Sequence, residues 1–111
     1  MEEELIKNAE EFYSAGKENL SKGRFNVAIS DFFKTIVILC DFLIYKEFRT
    51  LPKNHHHRFT LLENYFKEIY KKVSELFKSY TKSYNLRTKK SEAQEMEEYA
   101  NELKRIVDDK K

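Results

Sequence analysis

The sequence holds one cysteine, one proline, two glycines and no tryptophan in 111 residues. Cys40 alone excludes a disulfide framework, and no Cys/His spacing of a zinc site accompanies it, so no metal is expected and a reducing, cytoplasmic setting is. So little Gly and Pro, beside abundant Glu and Lys, predicts long helices joined by short connections. Long apolar runs are also lacking. The most apolar stretch, residues 35–45, is interrupted by Asp41 and falls short of the ~20 residues that span a bilayer. Met1-Glu2-Glu3-Glu4 has the wrong charge for a signal or transit sequence, so no targeting and no membrane partner are expected. No Gly-rich phosphate loop, nucleophile elbow or Ser/His/Asp arrangement is visible, so no cofactor is implied. Charge of one sign is not in excess either, with 21 Lys and Arg against 19 Asp and Glu for a net +2.

What is present is apolar and aromatic material, 41% and 14% of the residues, enough for one domain over residues 1–111 with a single core. Turn chemistry occurs at Lys22-Gly23, at Leu51-Pro52-Lys53-Asn54 and over 85–91, which divides the chain into four periodic segments. Leu5, Ala9, Phe12, Gly16 and Leu20 recur at helical steps in the first, and Gly23 stands where a helix C-terminus wants a residue that tolerates positive φ. In the second, from about Phe25 to Phe48, apolar residues run almost all round a helix, which must then be covered on several sides. The third, about Asn54 to Tyr84, reads as one amphipathic helix, with Leu62, Tyr65, Phe66, Ile69, Val73, Leu76 and Tyr80 on one side and Lys67, Lys71, Lys78 and Lys82 on the other. The fourth opens on Ser91-Glu92-Ala93-Gln94, a capping-box pattern, and continues as one buried face through Ala93, Met96, Ala100, Leu103 and Val107. The expected fold is all-α, an antiparallel up-and-down bundle of four or five helices.

Dividing the charge at these turns changes its meaning. Residues 1–45 and 91–111 are each net −3, whereas residues 46–90 carry twelve basic and four acidic groups, net +8. Two readings stay open: a solvated lysine face that complements the acidic helices, or an anion-binding surface for the phosphates of a nucleotide or RNA. His55-His56-His57 reads as a polar start to a helix, because adjacent residues diverge by about 100° and cannot converge on one metal. Asp31 and Asp41 lie about 80° apart around a helix and roughly 15 Å along it, too far to share a proton. Each is expected to pair with a lysine or to lie at a subunit contact.

The stretch from Ala9 to Ile29, with its Gly23-Arg24-Phe25 turn and the apolar helix that follows, resembles the opening of HEPN domains, the "higher eukaryotes and prokaryotes nucleotide-binding" family. Leu51-Pro52-Lys53-Asn54-His55 resembles that family's Pro-x-x-His, Leu61-Leu62 follows it, and Tyr84-Asn85-Leu86-Arg87 resembles its Arg-containing turn into the last helix. The resemblance implies a bundle that dimerises through its apolar helices and works beside a nucleotidyltransferase partner, often in toxin–antitoxin or defence loci. On the second helix, Phe32, Ile36, Leu39 and Leu43 are the expected homodimer contacts. Ribonuclease members carry Arg-x(4-6)-His at the last turn, but Arg87 is followed by Thr88-Lys89-Lys90-Ser91-Glu92-Ala93-Gln94, with no histidine to accept a proton from a 2′-hydroxyl. Arg49-x5-His55 has the letters at a different turn and is the catalytic pair of an alternative, metal-independent ribonuclease reading. The favoured expectation is a non-catalytic protein that binds a nucleotide or RNA through Arg87, Lys89, Lys90 and Lys82. A second alternative, a tetratricopeptide-like adaptor, is weakened because a step of about 34 residues puts Thr50 and Leu62 where Gly16 and Ala28 should recur.

Overall fold

Helix α2 (Phe25–Phe48) carries its apolar residues all round, and the rest of the chain is wrapped about it. The computed structural model describes all 111 residues as five helices without a strand: α1 (Glu2–Ser21), α2, α3 (His55–Tyr65), α4 (Lys67–Lys82) and α5 (Lys90–Lys110). None is long and apolar enough to cross a membrane. Eleven α2 residues are buried, among them Phe32 and Ile36 at 0% exposure and Leu39 and Leu43 at 3% and 4%. These four are therefore not free to form the expected dimer surface. The wide apolar circumference that suggested a second copy is covered by helices of the same chain. Burying each such side chain contributes roughly 1.5–3 kcal/mol, so the core itself accounts for the pattern.

Helix α1 runs antiparallel to α2: Glu2 bonds Lys46 at one end, and Asn19 donates to Asp31 Oδ2 at 2.9 Å at the other. Between them Gly16 lies against Phe32, with so little space that a Cβ there would stand 2.6–3.0 Å from ring carbons. Gly23 has the expected left-handed backbone, φ 76°. Its N–H bonds the Leu20 carbonyl and that of Arg24 the Asn19 carbonyl, the paired bonds that end a helix at such a residue. Helix α5 buries all five residues of its expected face, with Tyr99 in addition, but its cap stands two residues earlier than the Ser91 pattern suggested. Lys89 is the cap, and its N–H donates to the Glu92 carboxylate at 3.4 Å.

The segment expected as one helix is a hairpin. At Phe66 the backbone leaves helical geometry (φ −139°, ψ 60°), and the chain turns back so that the His55 ring lies 6.0 Å from that of Phe77. A straight helix would hold those residues ~33 Å apart. No Gly or Pro marks the reversal. Its cause is the length of the core: 28 helical residues would extend ~42 Å, beyond the 38 Å long axis of the molecule. Folded back, both Leu62 and the Val73–Leu76 face reach α2. Arg58 of α3 grips Asp41 of α2 with two parallel hydrogen bonds of 2.6 and 2.9 Å, at 11% and 14% side-chain exposure, and Tyr65 lies against Phe48. So α3 runs alongside α2 in the same direction, a departure from strict up-and-down order, and Asp41 pairs with an arginine rather than a lysine.

Replacing Gly16 with Ala tests the α1–α2 contact. Ala is worth about 0.5–1 kcal/mol in a helix, but a Cβ against a fully buried ring costs about 1–3 kcal/mol by overpacking. Gly16→Ala is expected to lower the urea unfolding free energy by about 1–2 kcal/mol. A more stable variant would mean that α1 sits further from α2 than described.

Candidate anion-binding site at the turn between α4 and α5

The connection from α4 to α5 is held by one side chain. Asn26, in the first turn of α2, donates through Nδ2 to the carbonyls of Ser83 (2.9 Å) and Leu86 (2.8 Å). Its Oδ1 accepts from the Thr88 N–H at 2.9 Å and from the Thr88 hydroxyl. Both donors and both acceptor positions of the carboxamide are thus used on a loop about sixty residues away. The clamp brings the N-termini of α2 and α5 to one end of the bundle. The first amides of a helix have no partner inside it and carry the positive end of its dipole, so anions are favoured there. Helix α2 leaves that end uncompensated, with no side-chain cap and no acidic residue in its first turn.

Beside Asn26 opens a concavity of about 410 Å³, within the size range of small-ligand sites, lined by Gly23, Arg24, Phe25, Asn26, Val27, Arg87 and Thr88. Arg87, Lys89 and Lys90 are exposed and make no ion pair. Arg24, also exposed, is within 3.5 Å of only a neutral amide oxygen, that of Asn19. Lys82 differs from these: its ammonium lies 3.3 and 3.4 Å from the two Glu92 oxygens, so its charge is already answered. Three of the four expected phosphate contacts therefore remain available at this turn, and Arg24 joins them. Arg24 was not singled out in the sequence because it belongs to an acidic segment sixty-three positions before Arg87. The visible signal was its place immediately after a helix-ending glycine.

The other expected residues are dispersed. Arg49, in left-handed geometry at the end of α2 (φ 58°), bonds Glu2 at 3.0 Å and lies over the Tyr45 ring. His55 instead meets Arg58, with its Nδ1 2.9 Å from a guanidinium nitrogen. The two are engaged on different partners and form no catalytic pair. His57 is structural: its N–H donates to Asn54 Oδ1 at 2.8 Å while its own Nδ1 accepts from the Lys53 N–H at 3.0 Å, a reciprocal cap on α3. No three His, Cys, Asp or Glu side chains are grouped to hold a metal. Cys40 is fully buried, and burial, with Asp41 next, pushes its thiol up and keeps it protonated and inert. Lys72 and Glu95 pair across α4 and α5, so part of the basic stripe complements the acidic last helix while Lys67, Lys71 and Lys78 stay unpaired. No protein-family model matches the chain, and no curated protein or solved structure is significantly similar to it.

Removing the clamp should open this end. Asn26→Ala leaves the Thr88 amide and two carbonyls without their partner, and at about 1 kcal/mol per net hydrogen bond the loss is expected to be about 2–3 kcal/mol. Amide exchange should speed up over 83–88 before anywhere else; unchanged protection there would refute the clamp. A second outcome concerns pH. Burial first and the Arg58 charge next hold His55 below its ordinary 6.5, with Asp41 acting in the opposite sense. The folded chain then binds that proton less tightly than the unfolded chain. His55's contribution is complete above about pH 6.5 and declines as the pH falls toward the folded value. The thermal midpoint is expected to fall on acidification from about pH 7.5 to about pH 5.5, and less so in His55→Asn. Identical slopes for the two proteins would remove His55 as the source.

Proposed function

We propose that this protein is a non-catalytic, HEPN-like helical module that binds the phosphates of a nucleotide or RNA at the end formed by the α2 and α5 N-termini, beside a nucleotidyltransferase partner of the toxin–antitoxin or defence type. The supporting observation is that Arg24 and Arg87, neither of them ion-paired, line one concavity at an uncapped helix N-terminus, with the exposed and unpaired Lys89 and Lys90 following Arg87 in the chain. Arginine presents a planar fork to phosphate oxygens, and the two arginines come from separate connections pinned together by Asn26. The lack of a histidine after Arg87 favours binding over cleavage, since the imidazole that a ribonuclease of this kind would use to take a 2′-hydroxyl proton is missing from that turn. Since Phe32, Ile36, Leu39 and Leu43 are enclosed in the chain's own core, a second copy or a nucleotidyltransferase would have to use other surfaces.

The reading is tested by titrating a fluorescein-labelled RNA oligonucleotide at several salt concentrations. Binding should weaken as salt rises, and Arg87→Ala should reduce the slope of log K against log salt by about one and weaken binding several-fold. Lys82→Ala should weaken binding less than Arg87→Ala and act only through the Glu92 carboxylate it uncovers, so the double variant Lys82→Ala/Glu92→Gln should bind as the parent does. No binding at low salt, or binding indifferent to Arg87→Ala, would overturn the assignment.

A further inference from the structure

The cationic end has a second property that phosphate binding does not require. Of the six large apolar side chains that stay exposed in the whole chain, three are gathered here: Val27 (48%), Tyr84 (67%) and Leu86 (59%). Leu86 immediately precedes Arg87, its carbonyl is held by Asn26, and Val27 lines the same concavity as Arg24 and Arg87. Tyr84 is not a loose side chain. Its hydroxyl donates to that of Tyr80 at 2.7 Å, and its ring meets the Tyr80 ring edge to face at 5.2 Å and 67°. Tyr80 is in turn stacked on the fully buried Phe33 at 4.5 Å and 16°. The exposed ring is therefore the outermost of a three-ring series rooted in the core, and it is pre-oriented in water.

Tyr84 thus places an oriented, solvent-facing ring on the clamped loop three residues before the unpaired Arg87. A ring and cations on one surface are what single-stranded nucleic acid uses: the cations follow the backbone while an unpaired base stacks on the ring. In a duplex the bases are stacked on one another, so such a ring would find no free face. We propose that Tyr84, with Leu86 beside it, is a stacking platform that makes this end selective for single-stranded nucleic acid over duplexes and over simple polyanions. The proposal rests on the phosphate-binding reading and specifies its ligand. An anionic lipid surface would also suit cations and apolar side chains. The concavity between Arg24 and Arg87 favours a discrete strand, since a flat bilayer cannot enter it.

Fluorescence anisotropy with a labelled oligouridylate, the same strand annealed to its complement, and polyphosphate as competitor separates these outcomes. The intact protein should bind the single strand more tightly than the duplex. Tyr84→Ala should weaken single-strand binding by about ten-fold or more while leaving duplex and polyphosphate binding unchanged, and Tyr84→Phe, which keeps the ring, should stay within about two-fold of the parent. The exposure of Tyr84 makes folding of these variants readily checked by circular dichroism. Equal affinity for strand and duplex, or an indifferent Tyr84→Ala, overturns the platform; if Arg87→Ala still weakens all three ligands, the phosphate reading survives that result. If Arg87→Ala has no effect on any of them, the phosphate reading falls first. Co-sedimentation with phosphatidylserine vesicles without single-strand binding would overturn the proposal in favour of a lipid surface.

Discussion

The fold is governed by the need to remove most of one apolar cylinder, α2, from water. A two-helix or three-helix arrangement would leave part of its circumference wet. Four helices pack around it, and two of them, α3 and α4, come from a segment that would be too long for the molecule if it stayed straight. The polar residues of α2 then become attachment points for the surrounding layers. Asp31 receives Asn19 of α1, Asp41 receives Arg58 of α3, and Asn26 receives the loop before α5. Each sits where a helix that is otherwise apolar all round has a polar group to satisfy, and a buried or half-buried polar group left without a partner is costly. The same residues that would penalise the core thus fix which helix lies where.

Much of this was legible along the chain wherever one residue type has one local meaning. Gly23 could be placed because only a positive φ calls for glycine after a helix, and the faces of α1 and α5 because helical spacing alone defines them. The reversal at Phe66 was not legible, because nothing local breaks the helix: the hydrophobic stripe continues through it with the correct period, and only the finite length of α2 decides against it. Phe32, Ile36, Leu39 and Leu43 show a related limit. A pattern states that a face must be covered, and it does not state whether the cover comes from the same chain or from another.

The candidate site was half legible for a different reason. Arg87, Lys89 and Lys90 stood out because charge summed over a segment marks the middle of the sequence as basic. That sum also concealed Arg24, which is counted among acidic neighbours in sequence and shares a concavity with Arg87 in space. Lys82 shows the converse, since it belongs to the basic segment and is neutralised by Glu92 from the acidic one. The electrostatics of a helical bundle are set at its ends, where connections distant in sequence meet, so a charge count divided by connection says little until the ends are paired.

The turn at Phe66 also bears on the order in which the protein assembles. Its two halves share one continuous helical pattern, so the segment's local preference is for a single rod, and the hairpin exists only where a core of limited length is already there to fold against. The pairing of α1 with α2 is between neighbours in sequence and closes a loop of only three residues, Lys22 to Arg24. That pair can form first and supply the template, and α3 bends back on α4 as a response to it. The only sharp reversal that the sequence does not encode locally thus has a geometry that belongs to the assembled bundle rather than to the segment that makes it.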